Sequence, residues 1–308
     1  MILPPAFTRR VSEEITRSER TQWHLTRIIS RERLLAACVS LSFLFGVTLF
    51  GIHWLEKTVT FHPVRSAPGE VWVVPPGAHD VWISTTDGVR LHGWFFENRK
   101  QPKLATVIYF HGNGGNITDV GWVGQHLAAR GFQVLLFDYR GYGRSEGSIA
   151  DERQLYLDAD AAYDFVTKNA RPEDVVLYGQ SLGTTAAADV GSRHPCRAII
   201  LESGLASASE MATNVLPWFP SPLHFLLNNR FESAAKLNKV KVPVLITHGD
   251  PDPVIPTEQG RLLFAAANEP KKLMIFPGAG HNVFGSLGKS YLTMVSDFIQ
   301  DSVKSDRR

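Results

Sequence analysis

The chain has 308 residues, which is enough for one α/β domain with additional segments. Its 32 basic residues nearly balance 30 acidic residues, and no basic cluster is interleaved with aromatic residues, so the composition gives no indication of a nucleic-acid partner. With only Cys38 and Cys196 there is neither a disulfide framework nor a zinc site, and we expect no metal and no organic cofactor.

An uncharged, mostly apolar stretch at residues 34–55 follows a polar arm at residues 1–33. Its 22 residues suffice to cross a bilayer core, which requires about 20. A buried helix of a soluble protein is disfavoured because such helices rarely lack a polar face. A cleaved signal peptide is disfavoured because the arm is long and no small-residue cleavage site follows the stretch. Five arginines at residues 17–33 precede the stretch and only Lys57 and Arg65 closely follow it, so we expect a cytoplasmic N-terminus and a C-terminal domain across the membrane.

Residues 56–80 form a connector rich in proline and valine, and residues 81–308 are typical of one α/β domain. Two alternating segments, 81–84 and 89–96, flank an Asp-Gly pair and predict a β-hairpin. Strand-like and helical segments then alternate, which predicts a mostly parallel sheet with helices on both faces. The later predicted strands are at residues 104–110, 133–137, 175–178, 198–201, 244–247 and 273–276.

A glycine-rich loop, His-Gly-Asn-Gly-Gly-Asn at residues 111–116, follows the strand at 104–110. Its glycines allow the backbone to approach a ligand closely. A phosphate cradle is disfavoured because no lysine follows, as a P-loop requires, and the spacing is not that of a dinucleotide-binding loop. We therefore interpret the loop as a source of backbone N–H donors.

Residues 179–183, Gly-Gln-Ser-Leu-Gly, directly follow an apolar strand and precede a helix of small residues. This arrangement holds the Ser181 hydroxyl out on a tight bend and predicts a nucleophile rather than a structural turn. The oxyanion that forms on the attacked carbonyl needs backbone N–H donors. Leu182 is one predicted donor, and the other is Asn113 or Gly114 in the glycine-rich loop, between which the sequence does not decide.

Residues 204–241 form an insertion rich in apolar side chains, which we interpret as a cap. Within it Trp218, Phe219 and Phe225 are the candidates for binding the substrate. The alternative is that these side chains pack on the domain as ordinary core. Three prolines disfavour a continuous helix there, so a short irregular lid is expected.

A serine nucleophile needs a base, and the base needs an acid that orients it. His281 is the one downstream histidine that follows both a strand and a candidate acid. Asp252 is the preferred acid. Asp250, bracketed by glycine and proline, is second and is expected to shape a turn. Glu202, at the end of a strand, is expected to line the pocket or to pair with a base.

Together these motifs resemble those of serine hydrolases of the α/β-hydrolase superfamily. The chain is most similar to membrane-anchored α/β-hydrolase-domain proteins related to the serine aminopeptidase and prolyl-oligopeptidase-like hydrolases. The resemblance covers residues 81–298 and implies the α/β-hydrolase fold. It also implies that Asp252, three residues after the glycine of His248-Gly249, is the acid. Its five motifs lie at residues 111–116, 137–145, 179–183, 248–256 and 280–281.

Within the second of these motifs, Asp138 and Arg140 match a turn that is structural in the family, so we expect no catalytic role for them. The whole pattern leads us to expect a membrane-anchored serine hydrolase that cleaves carboxylic esters or thioesters. Its substrate is expected to be a small molecule or lipid-like compound with an apolar acyl group. A serine peptidase is the alternative, because the same triad cleaves amides. A non-catalytic binding protein is disfavoured because Ser181, Asp252 and His281 are all present.

Overall fold

The computed structural model describes residues 5–97, 104–215 and 221–305. The chain divides into two compact units, Met1–Trp54 and Leu55–Arg308.

The N-terminal helix α1 begins at Pro5 and ends at Thr60. It is longer at both ends than the apolar helix predicted at residues 34–55, and it includes the first residues of the predicted connector. Within it, Ser30–Trp54 has a mean hydropathy of 2.2 and is long and apolar enough to cross a membrane. Large apolar side chains of this stretch, such as Leu34 and Phe50, are exposed.

Eight strands form one sheet within the second unit. Their bounds are β1 Ala78–Ser84, β2 Arg90–Phe96, β3 Thr106–Phe110, β4 Gln133–Phe137, β5 Val175–Gln180, β6 Ala198–Glu202, β7 Val244–Gly249 and β8 Lys271–Phe276. They lie in the order β1-β2-β4-β3-β5-β6-β7-β8, in which the β1–β2 and β2–β4 pairs are antiparallel and all others are parallel. The predicted hairpin and mostly parallel sheet are thereby confirmed.

Helices cover both faces of this sheet. Their bounds are α2 Ile117–Ala129, α3 Glu152–Thr167, α4 Gly183–Arg193, α5 Ala208–Val215, α6 Ser233–Leu237, α7 Thr257–Ala266, α8 Val283–Leu287 and α9 Lys289–Ser305. Apolar residues of α3, α4, α6 and α7 pack on one face, and those of α2, α8 and α9 on the other. Strand β5 is buried along its length because Val175 and Leu177 face the first layer whereas Val176 and Tyr178 face the second.

The predicted site segments meet at one edge of the sheet. Because β3, β5, β6, β7 and β8 are parallel, their carboxyl ends lie side by side. Residues 111–116 follow β3, and Ser181 follows β5. Glu202 ends β6, Asp252 follows β7, and His281 follows β8. The topology therefore gathers groups that are far apart in the chain.

The motif at residues 137–145 has structural contacts. Asp138 accepts a hydrogen bond from the Ile117 N–H at 2.9 Å, at the start of α2. The buried Arg140 guanidinium donates to Asp158 Oδ1 at 2.8 Å and to Asp87 Oδ2 at 2.7 Å. These bonds tie the hairpin turn and α3 to the sheet.

Candidate active site

The turn between β5 and α4 is sterically constrained. Ser181 has a φ of 53°, a left-handed conformation that non-glycine residues adopt rarely and that is common at functional sites. A Cβ on Gly179 would lie 2.4 Å from the Gly183 carbonyl oxygen, and one on Gly183 would lie 2.0 Å from the Phe110 carbonyl oxygen. Only glycine therefore fits on either side, which is why the sequence around Ser181 has the form G-x-S-x-G.

Ser181, His281 and Asp252 form one chain of hydrogen bonds. His281 Nε2 lies 2.9 Å from Ser181 Oγ, and His281 Nδ1 lies 2.8 Å from Asp252 Oδ2. An ionised carboxylate only accepts hydrogen bonds, so Nδ1 carries the proton in the neutral ring and Nε2 is left to accept one from Ser181. The structure thus brings together the three side chains that the sequence predicts as nucleophile, base and acid.

The Asp252 carboxylate is buried and surrounded by donors. Its Oδ1 accepts hydrogen bonds from the Val254 and Ile255 N–H groups at 2.8 and 2.9 Å, and His248 Nε2 lies 3.2 Å from its Oδ2. Burial raises the pKa of Asp252, but the hydrogen bonds from His248, His281 and the two backbone N–H groups outweigh burial. They hold the pKa of this carboxyl well below its usual range. Asp252 therefore stays ionised when His281 gains a proton.

His248 is a site residue that the sequence analysis did not single out. Its ring is fully buried, and its Nε2 lies 2.9 Å from the Ile255 carbonyl oxygen as well as near Asp252. The available signal is its position at the end of β7, four residues before the acid. This imidazole fastens the loop that carries Asp252.

The other two carboxylates have different partners. Asp250 Oδ1 accepts a hydrogen bond from the Gly278 N–H at 2.7 Å and so joins its own turn to the loop that carries His281. Glu202 is fully buried, with Oε2 2.5 Å from Tyr178 Oη and Oε1 accepting from the Phe284 N–H at 3.0 Å. Burial raises the pKa of Glu202 to about 7. The two hydrogen bonds go to a hydroxyl and a backbone N–H, and the nearby His281 also lowers the pKa of this carboxyl, so the expectation that Glu202 lines the pocket or pairs with a base stays a prediction.

The glycine-rich loop after β3 packs directly on the serine turn. A Cβ on Gly112 would lie 3.4 Å from Ser181 Cβ and 2.3 Å from Gln180 Oε1. Leu182, a predicted oxyanion donor, directly follows Ser181 and is the N-cap residue of α4. The backbone of both segments is thus adjacent to Ser181.

The second predicted donor is one of two neighbouring residues of this loop. The Asn113 side chain holds the loop in place, because its Oδ1 accepts hydrogen bonds from the His62 N–H and the Tyr142 hydroxyl, both at 2.9 Å. A Cβ on Gly114 would have no neighbouring atom within 4 Å. The assignment of Asn113 or Gly114 as donor stays a prediction.

The predicted cap consists of short pieces in its described part. It contains α5, a 3-10 turn at Ser221–Leu226, and α6. Some of its apolar residues, such as Leu237, are buried in the core, whereas Phe225 is 64% exposed. Trp218 and Phe219 lie outside the described residues, so their predicted contact with substrate stays a prediction.

Comparison with known proteins places this geometry in context. A family model described as "Serine aminopeptidase, S33" matches residues 101–235. The uncharacterized protein Rv2307c of Mycobacterium tuberculosis is 33% identical over 239 residues, which cover 77% of this chain and 84% of the relative. The uncharacterized protein YfhR of Salmonella typhi is 31% identical over 297 residues, 90% of this chain and 99% of the relative. Among solved structures, an esterase from Pyrococcus furiosus shares the fold with a TM-score of 0.61 at 20% identity, covering 79% of this chain and 98% of that one.

Proposed function

Because this chain belongs to the serine aminopeptidase S33 family of α/β hydrolases, we propose that it is a serine hydrolase that cleaves carboxylic esters or thioesters. The observation that carries the proposal is the hydrogen-bonded chain from Ser181 through His281 to Asp252, with distances of 2.9 and 2.8 Å. Both distances are within the hydrogen-bond reach that a nucleophile and its base require.

In the proposed mechanism, Ser181 Oγ attacks the acyl carbonyl while His281 Nε2 takes its proton. Asp252 holds the ring and stabilises the imidazolium. The oxyanion is bound by the Leu182 N–H and by the N–H of Asn113 or Gly114. His281 then protonates the leaving alcohol or thiol, which leaves an acyl-enzyme on Ser181. Water, activated by the same imidazole, cleaves the acyl-enzyme and restores the serine.

Labelling with a fluorophosphonate tests this proposal. We expect the probe to bond to Ser181, and Ser181→Ala to abolish labelling. We also expect Ser181→Ala and His281→Ala each to lower kcat for p-nitrophenyl esters by about 10³-fold or more, since a triad acts as a unit. A folded wild-type protein that is neither labelled nor active would instead favour the non-catalytic binding protein.

A peptidase is the second candidate function, and the name of the matching family favours it. The same three side chains cleave amides by the same steps. Parallel assays on p-nitrophenyl esters and on aminoacyl p-nitroanilides decide between the two. A higher kcat/KM for the anilides than for the esters would replace the esterase by the peptidase.

We further propose that Ser30–Trp54 anchors the protein in a membrane with the second unit outside the cytoplasm. The length and hydropathy of this stretch support the anchor, and the arginines that precede it support the orientation. Protease added to cells whose outer barrier has been opened should digest the hydrolase domain. A domain that stays protected until the inner membrane is lysed would reverse the topology.

The acyl group of the substrate is proposed to be apolar. The support is the exposed Phe225 in the cap segment, together with its neighbours in the sequence, Trp218 and Phe219. Each acyl methylene buried there should contribute up to about 0.8 kcal/mol, so kcat/KM should rise from acetate to octanoate esters.

Phe225→Ala should flatten this rise. Trp82→Ala is the matched control, because Trp82 is also an exposed aromatic residue but lies on β1, the edge strand at the opposite end of the sheet from β8. A flat series in the wild-type enzyme would contradict the apolar acyl group and favour a small-acyl esterase or a peptidase.

A further inference from the structure

Glu202 is a buried carboxyl group to which the proposed mechanism gives no role. Its side chain is fully buried at the end of β6. Its oxygen atoms contact the Tyr178 hydroxyl and the Phe284 N–H, and Tyr291 lies within hydrogen-bonding range of the same group. None of these partners is a cation. Burying a carboxyl group costs free energy unless its oxygen atoms are hydrogen-bonded, so these contacts are needed to hold Glu202 in its place.

Those contacts connect the two segments that carry the nucleophile and the base. The backbone carbonyl of Glu202 accepts a hydrogen bond from the Ser181 N–H at 2.8 Å. Its side-chain Oε1 accepts from the Phe284 N–H at 3.0 Å, and Phe284 is the third residue after His281. One residue therefore holds the serine turn through its main chain and the histidine segment through its side chain.

Residues 278–284, which carry His281, make other hydrogen bonds, and these are less buried than the bond from Phe284 to Glu202. Gly278, before His281, donates to the exposed Asp250, and Asn282 Oδ1 accepts from Gln180 Nε2 at 3.0 Å. The bond from Phe284 to Glu202 is buried at both ends, so water cannot replace it when it is lost. Among the described contacts it is therefore the attachment whose loss should displace the segment most.

We propose that Glu202 is a positioning residue that keeps the His281 ring within reach of Ser181. The inference rests on the proposed function, in which His281 is the base. The required property is an acceptor oxygen at the place of Oε1. Both the ionised and the protonated carboxyl provide that acceptor, and so does the amide of a glutamine.

The test compares Glu202→Met with Glu202→Gln in the full-length protein in detergent. Methionine fills a similar volume without an acceptor for the Phe284 N–H, whereas glutamine keeps the acceptor and can donate its NH₂ to Tyr178 Oη. Hydrolysis of p-nitrophenyl butyrate is measured, and kcat is expressed per site titrated with a fluorophosphonate. A loss of folded protein alone would then leave kcat unchanged.

We expect Glu202→Met to lower kcat per titrated site by about 10- to 100-fold with KM nearly unchanged, because a small misplacement of the base slows the chemical step. Glu202→Gln should keep kcat within about threefold of the wild type. Tyr178→Phe is the matched control: it removes a contact to the same carboxyl but leaves the Phe284 bond, so it should also keep kcat.

Wild-type kcat in Glu202→Met would overturn the positioning role, and so would a glutamine variant as slow as the methionine variant. If Glu202→Met does not fold, Glu202→Asp replaces it, because the shorter side chain withdraws the acceptor from Phe284. Wild-type kcat in that variant would overturn the proposal equally. Failure of the wild-type enzyme to label at Ser181 would instead overturn the proposed function, and this inference with it.

Discussion

The carboxyl ends of the neighbouring strands β6 and β7 each carry a buried carboxyl group, and the two groups differ in their ionisation. Burial raises the pKa of both. At the end of β7, however, two imidazole rings and two backbone N–H groups favour the ionised form of Asp252 and lower its pKa below the usual range. At the end of β6, Glu202 has fewer donors and its pKa rises to about 7. The deeper burial of Glu202 and the two imidazole donors of Asp252 together separate the two groups.

This difference suits the two groups to different tasks. In the proposed mechanism, a carboxylate that stays charged can stabilise the imidazolium that forms on His281 during acyl transfer. A carboxyl that changes its charge near neutral pH is a poor counter-ion but a steady acceptor for the Phe284 N–H. Replacing the carboxyl group by an amide should therefore lower kcat strongly at the end of β7 and leave kcat nearly unchanged at the end of β6.

The largest effect is expected at Asp252. Asp252→Asn should lower kcat somewhat less than Ser181→Ala or His281→Ala does, by roughly 10²- to 10³-fold, because a neutral amide neither stabilises the imidazolium nor holds the Nδ1–H tautomer. Steady-state kinetics on p-nitrophenyl butyrate measure it, with the folded state checked by circular dichroism. If Asp250→Asn proved the more damaging of the two in a folded protein, the acid would be Asp250.

The second prediction concerns the pH dependence of the free energy of unfolding. Below about pH 4.5, the ordinary value for this carboxyl, Glu202 is protonated in both the folded and the unfolded state. As the pH rises to about 7, the unfolded chain loses this proton whereas the folded chain keeps it, so the free energy of unfolding falls. Glu202→Gln removes this titration. Its stability relative to the wild type should therefore increase by roughly 3 kcal/mol over that range, at about 1.4 kcal/mol per pKa unit.

Urea unfolding of both proteins in detergent at pH 4.5 and 7.5 measures this difference. Tyr163→Phe serves as a control, since the Tyr163 hydroxyl donates its hydrogen bond to the backbone carbonyl of Pro195 and not to a carboxyl group. A stability difference that does not change with pH would mean that Glu202 has an ordinary pKa, and the contrast between the two strand ends would fail.

Much of this arrangement could be predicted from the sequence. The alternation of apolar strands and helices predicts the parallel sheet, and a parallel sheet places the ends of β5, β7 and β8 at one edge. The motif around Ser181 is recognisable because glycine is required on both sides of the bend. Chain order then singles out His281, the downstream histidine that follows both a strand and a candidate acid, and the resemblance to known hydrolases agrees on Asp252.

The role proposed for Glu202 could not be predicted in this way. Its partners are the hydroxyl of Tyr178, on the neighbouring strand β5, and the backbone N–H of Phe284, in the helix α8 that follows β8. A backbone donor leaves no trace in residue identity. The bounds of α1 were also missed, since the polar residues before the apolar stretch carry no signal that ends a helix.

A smaller effect is expected at His248, which shares Asp252 Oδ2 with His281. Removing this donor should lower kcat by about tenfold in His248→Leu, which corresponds to the loss of one hydrogen bond to a charged group. His248→Gln keeps a donor for the Ile255 carbonyl and should be milder. Equal kcat in His248→Leu and the wild type would show that the backbone N–H groups alone hold the carboxylate.

The smallest effect is expected at Asp250, which lies on the same loop as Asp252 but is exposed. Its Oδ1 accepts from the Gly278 N–H, and an asparagine offers an oxygen at the same place, so Asp250→Asn should change kcat by less than about threefold. Asp250→Ala removes the acceptor, but water can take its place at an exposed site, so a loss of only a few-fold is expected. Comparing kcat of the two Asp250 variants with kcat of Glu202→Met then contrasts the exposed hydrogen bond from Gly278 to Asp250 with the buried hydrogen bond from Phe284 to Glu202. If Asp250→Ala lowered kcat as much as Glu202→Met does, the exposed bond would be as important as the buried one for placing His281.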